Sequence, residues 1–177
     1  MLHTQALAGN RALAFENMVA QWGGLKYASL SVLLVHLNYA YTVHRAHHWT
    51  ARGDSFYGDH LMFQRLYEGI TSEIDSVAEK IVGLEGPDCV NLPLQAAQLA
   101  RLSRDYGTAL QLPTASDIAM RSLVVEQQVL ACARYAAEAL TESGALTRGV
   151  DNMLQGIEDA HETSIYLLGR RAANTSA

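Results

Sequence analysis

The chain is short of the residues that interrupt helices and of those that staple small folds. Its 177 residues include three prolines and two cysteines. So few prolines leave long stretches in which no helical hydrogen bond is forfeited. Cys89 and Cys132 form no paired metal motif, and two cysteines in so long a chain make no disulfide framework; they read as reduced thiols of a cytoplasmic protein. Aromatic residues are only 7% of the chain, which also fits an all-α reading. The apolar run from Leu30 to Val35 closes at His36 and Asn38, too short to cross a membrane. The opening residues lack a basic region followed by a sustained apolar run and do not read as a signal peptide. Positive charge is scarce: 13 Lys and Arg against 18 Asp and Glu give −5, with no general affinity for polyanions. No Ser/His/Asp or Cys/His arrangement, phosphate loop or nucleotide motif is present, and Gly23-Gly24 alone is no phosphate cradle.

What the chain does have is histidine. Four of its seven histidines lie between His44 and Lys80, with His36 just upstream and the carboxylates Asp75 and Glu79 near the end of that stretch. Imidazole nitrogens beside carboxylates are the ligand set of a transition metal such as iron or zinc. Apolar spacing predicts a helix from Tyr27 to Thr50, with Leu30, Leu33, Leu34, Leu37, Tyr41 and His44 on one face. A second helix is expected from Ser55 to Val82, bounded by Gly53-Asp54 and Gly83, with Asp54 as N-cap. A third spans Ser116 to Glu142, its stripe being Ile118, Val125, Val129, Cys132 and Ala136, and stops at Gly144. The fourth runs from Thr147 to Arg171, with Met153, Ile157, His161, Ile165 and Leu168 on one face. Between the second and third lies a connection with turns at Gly86-Pro87 and Pro113 and a short helix within Leu94–Leu102. The length is that of a single domain, 1–177, with an arm or short helix over 1–22 and a polar tail over 172–177. Arg170-Arg171 read as a solvated helix terminus.

Residues 60, 64, 75 and 79 form one stripe of the second helix. At a rise of about 1.5 Å per residue, His60 and Asp75 stand roughly 22 Å apart, so one copy cannot close a metal site from them. Two copies packed antiparallel about a two-fold axis can, because the His60 end of one meets the Asp75/Glu79 end of the other. His44 and His48 are neighbours at i, i+4, which leaves His44 either a chelating ligand or a satisfied core histidine. His47 points about 100° away and reads as a surface or interface residue.

The order His48-Trp49, Gly53, Phe56, His60, Leu66-Tyr67, Ile74-Asp75 and Ala78-Glu79 resembles the Dps family of mini-ferritins, densely over residues 44–83. The resemblance implies an all-α, ferritin-like four-helix bundle with a short helix in the long crossover. It also implies a hollow dodecamer built from two-fold dimers, with a ferroxidase centre at each two-fold interface. The family's ligands fall on His48 and His60 of one subunit and on Asp75 and Glu79 of its neighbour, and Trp49 would pack beside the centre. One position departs: the usual acid four residues after the second histidine is Gln64, an amide with a neutral oxygen. Glu158 and His161 form the Glu-x-x-His with which larger ferritins hold iron inside one bundle, but no second copy exists. His161 is thus a core histidine or a spare ligand recruited to the centre.

The implied activity is oxidation of Fe(II) by oxygen or hydrogen peroxide, with ferric mineral stored in the cage and protection against oxidative stress. The alternative is a catalytically weak cage that binds iron or zinc, because Gln64 brings no charge. A third reading, a nucleoid-compacting protein, meets a tail with no lysine before Lys26 and Arg11 as its only cation, so DNA binding is expected to be weak or absent. An iron pore near Asp151 is complicated by Arg148.

Overall fold

Helix α1 (Ala28–Thr50) starts one residue from its expected position. In the computed structural model, which describes residues 13–107 and 115–173, every residue from Ala28 to Leu37 is buried. A single apolar face therefore understates α1, because its other sides are covered too. Phe15, in the helical turn of residues 13–19, sits edge-on to His36 with ring centroids 5.3 Å apart. Ser31 donates to the Cys89 carbonyl at 2.8 Å. Trp22 Nε1 donates to Gln98 at 3.3 Å, and Gln98 donates to the Met18 carbonyl at 3.0 Å.

The remaining helices are α2 (Phe56–Glu85), α3 (Leu92–Gly107), α4 (Ala115–Glu142) and α5 (Arg148–Ala173), with 3₁₀ turns at Ala20–Trp22 and Pro87–Val90. No strand occurs among the described residues. Helix α1 packs on α2 and on α4, α4 packs on α5, and α2 meets α5, which closes a four-helix bundle. The short helix α3 lies in the crossover against α1 and is longer than expected. Residues 1–12 of the expected arm over 1–22, residues 174–177 of the expected tail over 172–177, and the turn at Pro113 fall outside the described residues.

Both ends of α2 differ from expectation. Ser55, not Asp54, occupies the N-cap of α2, and no side chain caps that end. Ser55 instead donates to Asp59 at 2.6 Å. Gly83 does not stop the helix, which runs on to Gly86 with φ 101°, a left-handed-side conformation that glycine adopts freely and that Pro87 follows. The extra turn has a use: the Glu85 carboxylate accepts from the backbone N–H groups of Lys26 and Tyr27, just before α1 begins. Gly144 does end its helix, with φ 67° and the Ala145 N–H bonded to the Leu140 carbonyl at 2.8 Å. Arg171 is not a solvated terminus. Its guanidinium grips Asp59 through Nε (2.6 Å) and Nη2 (2.8 Å) and also reaches Ser55, tying the end of α5 to the start of α2.

The interior is divided. A large apolar cluster includes Leu30, Leu33, Leu37, Val77, Ile81, Val129, Leu140 and Leu154. A smaller one at the far end holds Ala51, Phe63, Leu66, Ile118 and Leu168. Between them lies a polar layer of His44, Ser122, Glu126 and His161, each at most 2% exposed, bordered by the half-buried Glu73.

Candidate metal centre

The last turn of α1 and the first turns of α2 bring His48 and His60 face to face, rings stacked with centroids 3.8 Å apart. The two rings are held reciprocally. His48 Nδ1 donates to the His60 carbonyl at 2.9 Å, and His60 Nδ1 donates to the His48 carbonyl at 3.0 Å. A carbonyl can only accept, so the proton of each neutral ring sits on Nδ1 and the Nε2 lone pair is left free. A ring whose Nδ1–H is anchored to backbone has the orientation and tautomer of a metal ligand. Tyr67 packs edge-on against His48 at 5.4 Å, and the Phe56 ring lies tilted by 32° against His60 at 5.2 Å. Trp49 does not pack inside the subunit: it is 65% exposed, with the Arg45 guanidinium 4.8 Å above its ring.

Gln64 lies one turn beyond His60, half-buried, with its amide nitrogen bonded to Glu68 at 2.8 Å. Asp75 and Glu79 are exposed further along α2, with Glu79 on a surface cavity of about 670 Å³ beside Lys80, Asn152 and Met153. The structure thus joins His48 to His60 and leaves the two acids at the other end of the helix. Among the described residues of one chain, no three His, Cys, Asp or Glu side chains converge on a metal position. Asp151 lies in the first turn of α5, with Arg148 at the helix start.

His44 and His161 belong to a different construction. Glu126 Oε1 accepts from His44 Nε2 and its Oε2 from His161 Nδ1, both at 2.5 Å. His161 Nε2 donates to Glu73 at 3.1 Å, so both nitrogens of that ring face carboxylates and both carry protons. Burial opposes the charge on His161, but the bonds to Glu126 and Glu73 outweigh it and push its pKa up to about 9. Burial likewise opposes the charge on Glu126, yet the hydrogen bonds from the two imidazoles hold its carboxyl down at about 2. On the other side, Ser122 Oγ stands 3.2 Å from His44 Nδ1 and 2.7 Å from His47 Nδ1. His47 is therefore half-buried and bonded, not a surface residue; burial, with the charges of His44 and Arg121 behind it, lowers its pKa to about 3. The chain runs from an apolar pocket of about 280 Å³ at His47 to a pocket of about 250 Å³ at Glu73 and His161.

Glu158 takes no part in this; it pairs with Arg134 at 3.2 Å. The acids that do, Glu126 and Glu73, are absent from the sequence expectation. Glu126 carried a signal, a charged residue amid the apolar stripe of α4, with Ser122 one turn before it.

Four helices around one interior, with a helix-bearing crossover between the second and third, define a ferritin-like bundle. Its particular form is Dps-like, as the sequence expectation had it: the X-ray structure of Dps from Thermosynechococcus elongatus matches with a TM-score of 0.65, over 89% of this chain and 93% of that one, at 17% identity. No protein-family model matches the chain. An uncharacterized protein of Haemophilus influenzae is 30% identical over 80 residues, 45% of this chain and 49% of that protein. The match thus spans about half the length of that relative.

Proposed function

We propose that this chain oxidises Fe(II) at centres shared between two subunits and stores the ferric product inside a closed cage. The observation that carries this reading is the His48/His60 pair, two imidazoles with anchored Nδ1 atoms and free Nε2 atoms at one end of α2. Iron is the substrate here, and the donor set suits it: two neutral nitrogens from one subunit, and the charges of Asp75 and Glu79 from its neighbour. Glu79 is the most important of these, because its longer arm bridges or charge-balances an ion that two imidazoles leave uncompensated. The chain's own residues hold and orient the iron, while oxygen or hydrogen peroxide takes the electrons. Twelve chains of 19.3 kDa make a cage of about 230 kDa in the cytoplasm, with DNA binding weak or absent. A second reading, a weakly catalytic cage holding iron or zinc at a single-metal site, draws on the uncharged Gln64.

Aerobic Fe(II) addition tests both, followed by absorbance of the ferric product and by light scattering. His60→Ala and Glu79→Ala should each abolish rapid oxidation while the assembly stays at about 230 kDa, the mass of twelve 19.3 kDa chains. A monomer in solution, or full activity in both variants, would sink the shared-centre reading. Slow oxidation by the parent protein together with tight zinc binding would favour the second.

A further inference from the structure

We propose that Glu68 is a positioning residue for the metal centre: it presents the side-chain oxygen of Gln64 as a ligand and supplies, one turn further along α2, the charge that position 64 lacks. The inference rests on the shared-centre reading above. His60, Gln64 and Glu68 follow one another at four-residue intervals and so lie on one face of α2. Gln64 Nε2 and Glu68 Oε1 are 2.8 Å apart. An ionised carboxylate only accepts hydrogen bonds, so the NH₂ branch of the amide must face Glu68. The carbonyl branch is thereby turned away from Glu68, and His60 lies on the far side of Gln64, one turn earlier.

Glu68 cannot ligate the same ion as His60 directly. Eight residues at about 1.5 Å each separate them by roughly 12 Å along the axis. Its influence passes through the amide. A hydrogen bond to a charged acceptor is stronger than a neutral one. Polarisation along the amide then places more negative charge on the carbonyl oxygen, the atom offered to the metal. Partners that orient a ligand from the next shell matter to metal affinity in just this way, typically 10–100-fold. The acid has not been lost from this face of α2; it has moved one turn along and acts through a relay.

The test is zinc titration calorimetry on the assembled, metal-free protein, with Co(II) absorption bands as a probe of ligand geometry. Glu68→Ala should weaken zinc binding about tenfold and shift the Co(II) bands. Glu68→Gln, whose own carbonyl still accepts from Gln64, should recover part of that loss. In a Gln64→Ala background, Glu68→Ala should cost nothing further, because the relay is already broken. Wild-type affinity in Glu68→Ala, or an equal loss with and without Gln64, would overturn the proposal while leaving the centre intact. If His60→Ala and Glu79→Ala both bind zinc as the parent does, the shared centre itself fails, and the role of Glu68 with it.

Discussion

Glu126 is 1% exposed and accepts hydrogen bonds from two imidazoles, one of which carries a buried positive charge. Removing one member of such a group strands the others without a partner, at a cost of about 3–5 kcal/mol. Glu126→Ala should therefore lower stability in a denaturant titration by about that amount. Zinc affinity should be little changed, because the His48/His60 pair shares no hydrogen bond with this layer. A large loss of zinc affinity at full stability would instead mark the layer as part of the centre. The two histidine pairs also differ in how legible they were. His48 and His60 were singled out by the resemblance of residues 44–83 to the Dps family, on helices already visible in the apolar pattern. Glu126 and Glu73 did not, since the bonds that reveal them join residues 35 and 88 positions apart in the chain.

At the scale of the helices, the apolar periodicity placed all four long elements, and the errors gathered at their ends. Ends are decided by contacts that periodicity does not carry. Helix α2 runs past Gly83 because Glu85 has two backbone N–H groups to hold, and it begins against Arg171 rather than on a cap of its own. The Arg171–Asp59 grip is a distant contact of the same kind, and it fixes the turn in which His60 stands. Arg171→Ala leaves the buried Asp59 without its main donor, and an unsatisfied buried group costs about 1–3 kcal/mol. Thermal melts should show that loss. Arg171→Lys should restore only part of it, since an ammonium cannot match the forked geometry. Unchanged melting in Arg171→Ala would mean that water replaces the guanidinium without penalty. The polar layer also holds the helices in step. Each long helix gives it at least one polar residue, and sliding any helix by a turn would bury a charge among apolar neighbours.

For the molecule as a whole, the buried histidines set opposing pH limits. His161, raised to about 9, contributes stability that is complete below its ordinary value of 6.5 and is lost as pH climbs through 9. His36, lowered to about 4 chiefly by burial, and His47, lowered to about 3, act oppositely. They fold neutral, so the unfolded chain gains protons first and stability falls as pH drops below 6.5. Glu126, held at about 2, adds to the acid loss as pH falls from its ordinary 4.5. Melting temperature should therefore peak near pH 6.5 and decline on both sides. A steady rise from pH 6 to pH 9 would contradict the charged state assigned to His161.

The division of the interior has a dynamic consequence. The small cluster of Ala51, Phe63, Leu66, Ile118 and Leu168 lies at the same end of the bundle as His48 and His60. So few apolar side chains make that end the cheaper one to open, and partial openings follow such local differences. Amide exchange should be faster along residues 46–62 and 164–171 than along 28–40. The half-site would then be the softest part of an isolated subunit. On the shared-centre reading proposed above, it would gain rigidity when a neighbour covers it, and assembly and metal capture would be coupled events rather than successive ones.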